Sequence, residues 1–410
     1  MTVARLALRG ILDSRAEPTI EAEVVLHCGA RGRGSSPRAI APGRRERPVG
    51  GSAGLGPLPG LARRAETALE GATGQAELDE RLAGMLGLAG AGLTLAVSAA
   101  YARATATAAG LPLWRYLADL AACPPRLPRL LVNVFSGGIH GPGRARGYQQ
   151  VMVIPGTGEL SRDIDVACRV WAAAAELARR HFGEPRLSAS SGIMVPLDSA
   201  GQLDLLGQAI TAAGLEGETA VGVDVAAEHL YDGDRYRLGD RLLTADELTE
   251  VLCREAGRHG IAYVEDPFDP ADEKAWRGLR AHLPASSRVY GDDLFATDAQ
   301  RVTPELADGI LLKPSQVGTI SGLLAAAARA RQAKMALAVS HRSGETDDTM
   351  ICDIAVAIGA SLIKVGGPRR GDRIAKYNQL LRIAERVPGP PRTAALSPIS
   401  PCARSAKHAR

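Results

Sequence analysis

Val221-Gly222-Val223-Asp224, Ala262-Tyr263-Val264-Glu265-Asp266-Pro267, Val289-Tyr290-Gly291-Asp292-Asp293-Leu294 and Ile310-Leu311-Leu312-Lys313 decide how this chain folds. In each, a short apolar run reaches a charged side chain. Apolar runs of this length, separated by helix-like segments, read as buried parallel strands of a βα protein. The carboxyl ends of the strands form the active-site face of a βα barrel, so Asp224, Glu265, Asp292 and Lys313 are catalytic candidates. Three hard oxygen ligands suit Mg²⁺, and a lysine beside a divalent cation can act as a base once its pKa is lowered. One such carboxylate alone would more often be a helix cap or a surface loop residue. Four charges in succession at equivalent strand ends argue against that.

The bulk properties narrow the class. A chain of 410 residues is long enough for two domains and a sizeable core. Lys and Arg total 49 against 45 Asp and Glu, and an excess of +4 predicts no nucleic-acid partner. Cys28, Cys123, Cys168, Cys253, Cys352 and Cys402 are scattered, with no C-x-x-C, which fits reduced thiols better than disulfides or zinc. Arginines interrupt the N-terminus too early for a secretory signal. The Ala-rich stretch Ala89 to Ala109 carries Gly, Ser, Thr, Tyr and Arg, so a buried helix of small residues is expected rather than a membrane span. The expectation is a soluble cytoplasmic protein.

Outward from the strand ends, residues 3 to 12 and 19 to 28 alternate and predict two strands joined by a turn at Asp13 to Pro18. Gly29 to Gly60 is rich in Gly, Arg and Pro without helical periodicity and reads as a long loop, either functional or disordered. Helical segments follow from about Leu61 to Leu120, and Pro124 to Pro128 reads as a linker. The organisation expected is an α+β domain over residues 1–125, a barrel over 126–387, and a tail over 388–410 too poor in apolar surface to order. Within the barrel, Ser340-His341-Arg342-Ser343 follows an apolar run and suits a phosphate or phosphonate, with Arg342 giving bidentate bonds. Lys364 ends the next strand and can pair with a substrate carboxylate. His140 follows Gly137-Gly138, where a backbone can approach a ligand closely.

These segments, with Ser340-His341-Arg342-Ser343-Gly344-Glu345-Thr346, Lys313 with Gln316-Val317-Gly318-Thr319, and Lys376-Tyr377-Asn378-Gln379-Leu380-Leu381, resemble the enolase family along most of the chain. The resemblance implies an α/β fold: a modified TIM (βα) barrel under an N-terminal α+β capping domain, with Mg²⁺ and a homodimer. It implies Asp224, Glu265 and Asp292 as metal ligands and Lys313 as the base. Arg342 and Ser343 would hold a phosphate and Lys364 a carboxylate, while His140, His341 and Gln149 would line the pocket.

Departures from the family pattern carry a further expectation. Enolases have a Gln-Glu pair where this chain has Gln149-Gln150, and a carboxylate where it has Ser191. The mobile loop, which carries serines in the family, here reads Pro37-Arg38-Ala39-Ile40-Ala41-Pro42-Gly43, followed by Arg44, Arg45 and Arg47. Glu184 is a stand-in acid in type, but it lies early in its segment. Loss of a general acid typically removes about 10²–10⁴ in rate, so ordinary dehydration of 2-phosphoglycerate is expected to be weak. The pattern resembles carboxyphosphonoenolpyruvate synthases of phosphonate antibiotic pathways. That resemblance implies joining a phosphonoformate unit to the enol oxygen of a 2-phosphoglycerate- or phosphoenolpyruvate-type acceptor. Gln150 and Ser191 would then act as neutral hydrogen-bonding groups, and Arg38 as an added cation. A weak enolase and a non-catalytic scaffold are the alternatives.

Overall fold

The computed structural model describes residues 1–40, 55–138 and 147–387. His140, Ala41, Arg44, Arg45, Arg47 and the tail 388–410 lie outside the described residues.

The chain opens with strands β1 (Val3–Leu12), β2 (Pro18–Leu26), β3 (Arg31–Ser35) and the two-residue β4 (Gly56–Pro57), an antiparallel sheet in the order β3-β2-β1-β4. Alternation sends Leu6, Leu8, Ile20, Ala22, Val24 and Leu26 inward onto helices α1 (Pro59–Leu69) and α2 (Gln75–Ala108). Strand β3 lies inside the stretch that composition marked as loop. Its Arg-Gly-Arg-Gly pattern is an alternation in which glycine is the buried member. A Cβ on Gly32 would lie 2.1 Å from the Ala100 carbonyl, and one on Gly34 2.6 Å from Ala99 Cβ. The alanine-rich face of α2 and the glycines of β3 therefore meet backbone to backbone, as the small residues of Ala89 to Ala109 permit. Helix α3 (Leu113–Leu120) completes this part.

The barrel follows as β5 (Arg129–Ser136), β6 (Gln150–Pro155), α4 (Leu160–Phe182), β7 (Arg186–Leu187), β8 (Ile193–Met194), α5 (Ser199–Ala212) and β9 (Thr219–Asp224). It continues through the hairpin β10 (Tyr236–Leu238) and β11 (Arg241–Leu243) to α6 (Ala245–His259), β12 (Ile261–Glu265), α7 (Glu273–His282) and β13 (Arg288–Gly291). The last part is β14 (Gly309–Leu312), α8 (Pro314–Val317), α9 (Ile320–Gln332), β15 (Ala336–Ser340), α10 (Met350–Ala357), β16 (Leu362–Lys364) and α11 (Gly371–Ala384). Strands close in the order β5-β6-β9-β12-β13-β14-β15-β16, with β16 paired to β5.

One strand runs the other way: β6 is antiparallel to both β5 and β9. The parallel alternation expected from the sequence fails there because β5 and β6 stay paired up to their connection, with the Gly137 amide on the Gln149 carbonyl at 3.2 Å. The reversal has a functional consequence. It brings the start of β6, and so Gln150, to the end where the other strands finish, opposite Asp224 in register.

Side chains alternate about the barrel wall. Leu131, Met152, Tyr263, Tyr290, Leu311, Ala338 and Leu362 fill the interior, while Val132, Val153, Val264, Val289, Ile310 and Val339 face the helices. Tyr290 fits only because its neighbour is Gly309, where a Cβ would stand 2.3 Å from the ring. No described helix is long and apolar enough to cross a membrane.

The N-terminal sheet and helices are tied to the barrel through Asp348. Its carboxylate takes both Arg103 Nη atoms of α2 at 2.7 and 2.6 Å, the Ser35 amide at 3.0 Å and the Met350 amide at 2.8 Å. Burial alone would raise this carboxyl, but Arg103 and the amides hold it down at about 2. A depressed carboxyl stabilises the fold above its unfolded pKa of about 3.9 and loses that contribution as pH falls toward 2. Asp348→Asn should therefore cost about 2 kcal/mol at neutral pH. Urea unfolding should show that gap narrowing as pH falls from 5 to 3; a gap independent of pH would mean the tie acts by shape alone.

Candidate active site

The barrel gathers charge at one end. Asp224 ends β9, Glu265 ends β12, Asp292 follows β13, Lys313 follows β14 and Lys364 ends β16; Asp224, Glu265, Asp292 and Lys364 are buried. Lys364 Nζ bonds Asp224 Oδ2 at 2.9 Å and the two Glu265 oxygens at 2.8 and 2.7 Å. Lys313 Nζ donates to Asp292 Oδ2. Lys313 thus stands beside an acid of the candidate metal set, while Lys364, expected to meet a substrate carboxylate, bridges two of those acids.

Asp266 and Asp293 add to this charge. Asp266 has a left-handed backbone (φ 41°), and its carboxylate accepts the amides of Asp292 and Asp293 at 2.8 Å each. It thereby fixes the loop that aims Asp292. Two lysines do not balance five carboxylates. Burial, then the charge on Asp224, pushes Glu265 up to about 8. Asp292, then burial, lifts Asp293 to about 6, and burial with Asp293 raises Asp266 strongly. Burial would raise Asp292 too, but Lys313 more than offsets it.

Such a surplus of hard oxygens suits a divalent cation. Oxygens of Asp266, Asp292 and Asp293 lie within 4.8 Å of one another. This grouping shares only Asp292 with the set expected from sequence. Both Asp266 oxygens already accept backbone amides, so that residue is better suited to positioning than to ligation. Asp266 and Asp293 went unmarked in the sequence, although each directly follows a marked acid in a doublet.

A cavity of about 90 Å³ opens over this cluster. Of the residues expected at the site, it is lined by Gln149, Gln150, Asp224, Asp292 and Lys313, and across from them by His341, Arg342, Ser343 and Lys364. Gln149 donates to Asp224 Oδ2 at 3.2 Å. Gln150 is buried, and its Oε1 has no partner among the described residues. Burial, reinforced by Arg373, keeps the His341 ring neutral. Arg373 Nη1 meets His341 Nδ1, and because a guanidinium only donates, Nδ1 is the acceptor and the ring proton sits on Nε2.

Two expected residues, Ser191 and Arg38, and the stand-in acid Glu184 lie away from the cavity. Ser191 is fully buried in a left-handed conformation (φ 61°), and its hydroxyl donates to the Arg369 carbonyl at 3.0 Å; Ser190 lines the cavity instead. Arg38 pairs through its backbone with Gly344, but its guanidinium bonds the Pro18 carbonyl at 2.8 Å and lies 3.8 Å from Glu17, away from the cavity. Glu184 is exposed just past the end of α4 and does not line the cavity. The anchoring expected of the loop comes instead from Ile40, whose amide donates to Ser343 Oγ at 2.8 Å. A larger groove of about 620 Å³, along Arg33, Arg103, Trp114, Gln379 and Arg386, holds none of the expected site residues.

The cavity can therefore bind an anion through Arg342 and Ser343, and a cation at the carboxylates that the two lysines border. Together these groups can hold a small phosphorylated carboxylate with its α-carbon near an amine base.

Comparison with known proteins identifies the family. Residues 125–393 match the family described as "Enolase, C-terminal TIM barrel domain". The "Enolase" of Rubrobacter xylanophilus is 35% identical over 408 residues, covering 93% of this chain and 94% of that protein. That of Anaplasma marginale is 33% identical, with 93% and 94% covered, and that of Aeropyrum pernix 35%, with 91% of each covered. With the barrel matched throughout and relatives spanning more than nine tenths of its length, the chain belongs to the enolase family.

Proposed function

We propose that this enzyme removes the α-proton of a 2-phosphoglycerate-type acid and then eliminates water from it, the reaction implied by relatives named enolase. The observation that carries the reading is the convergence of Lys313, Asp292, Lys364, Arg342 and Ser343 on one cavity. Mg²⁺ is the cofactor, with Asp224, Glu265 and Asp292 as its ligands in this proposal; when bound it stabilises negative charge on the substrate carboxylate. Arg342 and Ser343 hold the phosphate, with Ser343 itself fixed by the Ile40 amide. Lys313 takes the proton from C2. His341 presents its Nε2–H as a neutral donor, and Lys364 orders Asp224 and Glu265. The homodimer that the resemblance implies, and the cytoplasmic location expected from the scattered cysteines, stand with this proposal.

A second reading, transfer of a phosphonoformate unit onto the enol oxygen, is favoured by one feature. Gln150 and Ser190 make a neutral wall where a second carboxylate would repel an incoming anion. Against it, the guanidinium of Arg38 faces Pro18 and Glu17 rather than the cavity.

Two outcomes are expected. Calorimetric titration with Mg²⁺ in the presence of 2-phosphoglycerate should weaken at least about tenfold in Asp292→Asn and in Glu265→Gln, since each removes a hard charged ligand. Weakening confined to Asp266→Asn and Asp293→Asn would move the ion to that neighbouring group. For the reaction, phosphorus NMR of wild type with Mg²⁺ and 2-phosphoglycerate alone should show phosphoenolpyruvate, and Lys313→Ala should abolish it. Product only after a phosphonoformate donor is added would establish the second reading.

A further inference from the structure

Among the described residues expected at the site, the elimination half of the proposed reaction lacks an evident acid. Lys313 works from the β14 side of the barrel. Across from it, above β6 and β9, the cavity is walled by Gln149, Gln150 and Ser190, none of which gives up a proton at neutral pH. Ser191 is enclosed and bonded to Arg369, and Glu184 lies outside.

Among the described residues, His229 also lines the cavity. It ends a single helical turn, Ala227–His229, that leaves β9 three residues after Asp224. The turn is held to the barrel mouth by backbone bonds. Val225 N meets the Glu265 carbonyl and Ala227 N the Asp266 carbonyl, both at 3.0 Å, while His229 N closes on Ala226 O at 3.1 Å. Ala226 is left-handed (φ 47°), a conformation that disfavours a side chain and persists where its surroundings enforce it. The chain is thereby forced over the cavity and not outward along the sheet. His229 remains exposed at the entrance, where its ring can exchange protons with solvent between turnovers.

We propose that His229 is the catalytic acid of the elimination half-reaction, an inference that rests on the function proposed above. Lys313 takes the C2 proton, leaving its electron pair delocalised into the carboxylate. That pair returns to form the C2–C3 double bond as the C3–oxygen bond breaks, and the oxygen leaves as water with the proton of His229. Lys313 then gives the C2 proton up to solvent and the His229 ring recovers one from it, so one water is lost per turnover and no oxidant or co-reactant is needed. Among the described residues besides His229, the charged and titratable groups lining or bordering the cavity are Asp224, Asp292 and Asp293 with Glu228, and Lys313, Lys364, Arg342 and His341. The acids among them belong to or border the cation cluster, and His341 is neutral and pinned by Arg373.

The test separates the two half-reactions in D₂O with Mg²⁺ and 2-phosphoglycerate. In His229→Gln, exchange at C2 should stay within about twofold of wild type, while phosphoenolpyruvate formation falls about 10²–10⁴-fold with little change in KM. Added imidazole should restore turnover to His229→Ala. Unchanged elimination in His229→Gln would overturn the inference. An equal loss of exchange and elimination, with no rescue by imidazole, would also overturn it by making the turn purely structural. Absence of both exchange and elimination in wild type would instead overturn the proposed function beneath it.

Discussion

Five buried or half-buried carboxylates facing two lysines are the constraint on which the rest of this structure depends. A barrel end that concentrates Asp224, Glu265, Asp266, Asp292 and Asp293 cannot keep them all ionised without more positive charge than Lys313 and Lys364 supply. Removing one partner of a buried pair is costly because the other charge is stranded. Each lysine therefore has an architectural task as well as a chemical one. The same arrangement makes a divalent cation a natural component of the site, and in the proposed reaction it places Lys313, as base, beside a cation ligand.

Much of the fold and of this cluster was legible in the sequence, because apolar runs ending in charge translate directly into strand ends. Asp224, Glu265, Asp292, Lys313 and Lys364 were all found at such ends. Strand β3 was not legible, since its buried residues are glycines that carry no hydrophobic signal; their meaning appears only when α2 is seen against them. The reversal of β6 was hidden for a similar reason, because periodicity reports which residues are buried and not which way a strand runs.

Side-chain direction was the least legible level. Ser191 and Arg38 sit at chain positions that point to chemistry, yet one is turned onto the Arg369 carbonyl and the other onto Pro18 and Glu17. Conversely, His229 follows Asp224 by five residues in a stretch without periodicity. Only the left-handed turn at Ala226 brings it over the cavity. Function in this family member therefore divides along the barrel. The acids and lysines at the strand ends are readable from sequence, while the opposite wall is set by loops and neutral side chains.

The claim most exposed to test is that the base half of the site is intact although the wall opposite it is uncharged. Hydrogen exchange at C2 of 2-phosphoglycerate, followed by proton NMR in D₂O with wild-type protein and Mg²⁺, measures that half alone. The account predicts Mg²⁺-dependent exchange at least as fast as product formation. Product formation without detectable exchange into remaining substrate, or exchange that persists after Mg²⁺ is chelated, would contradict it.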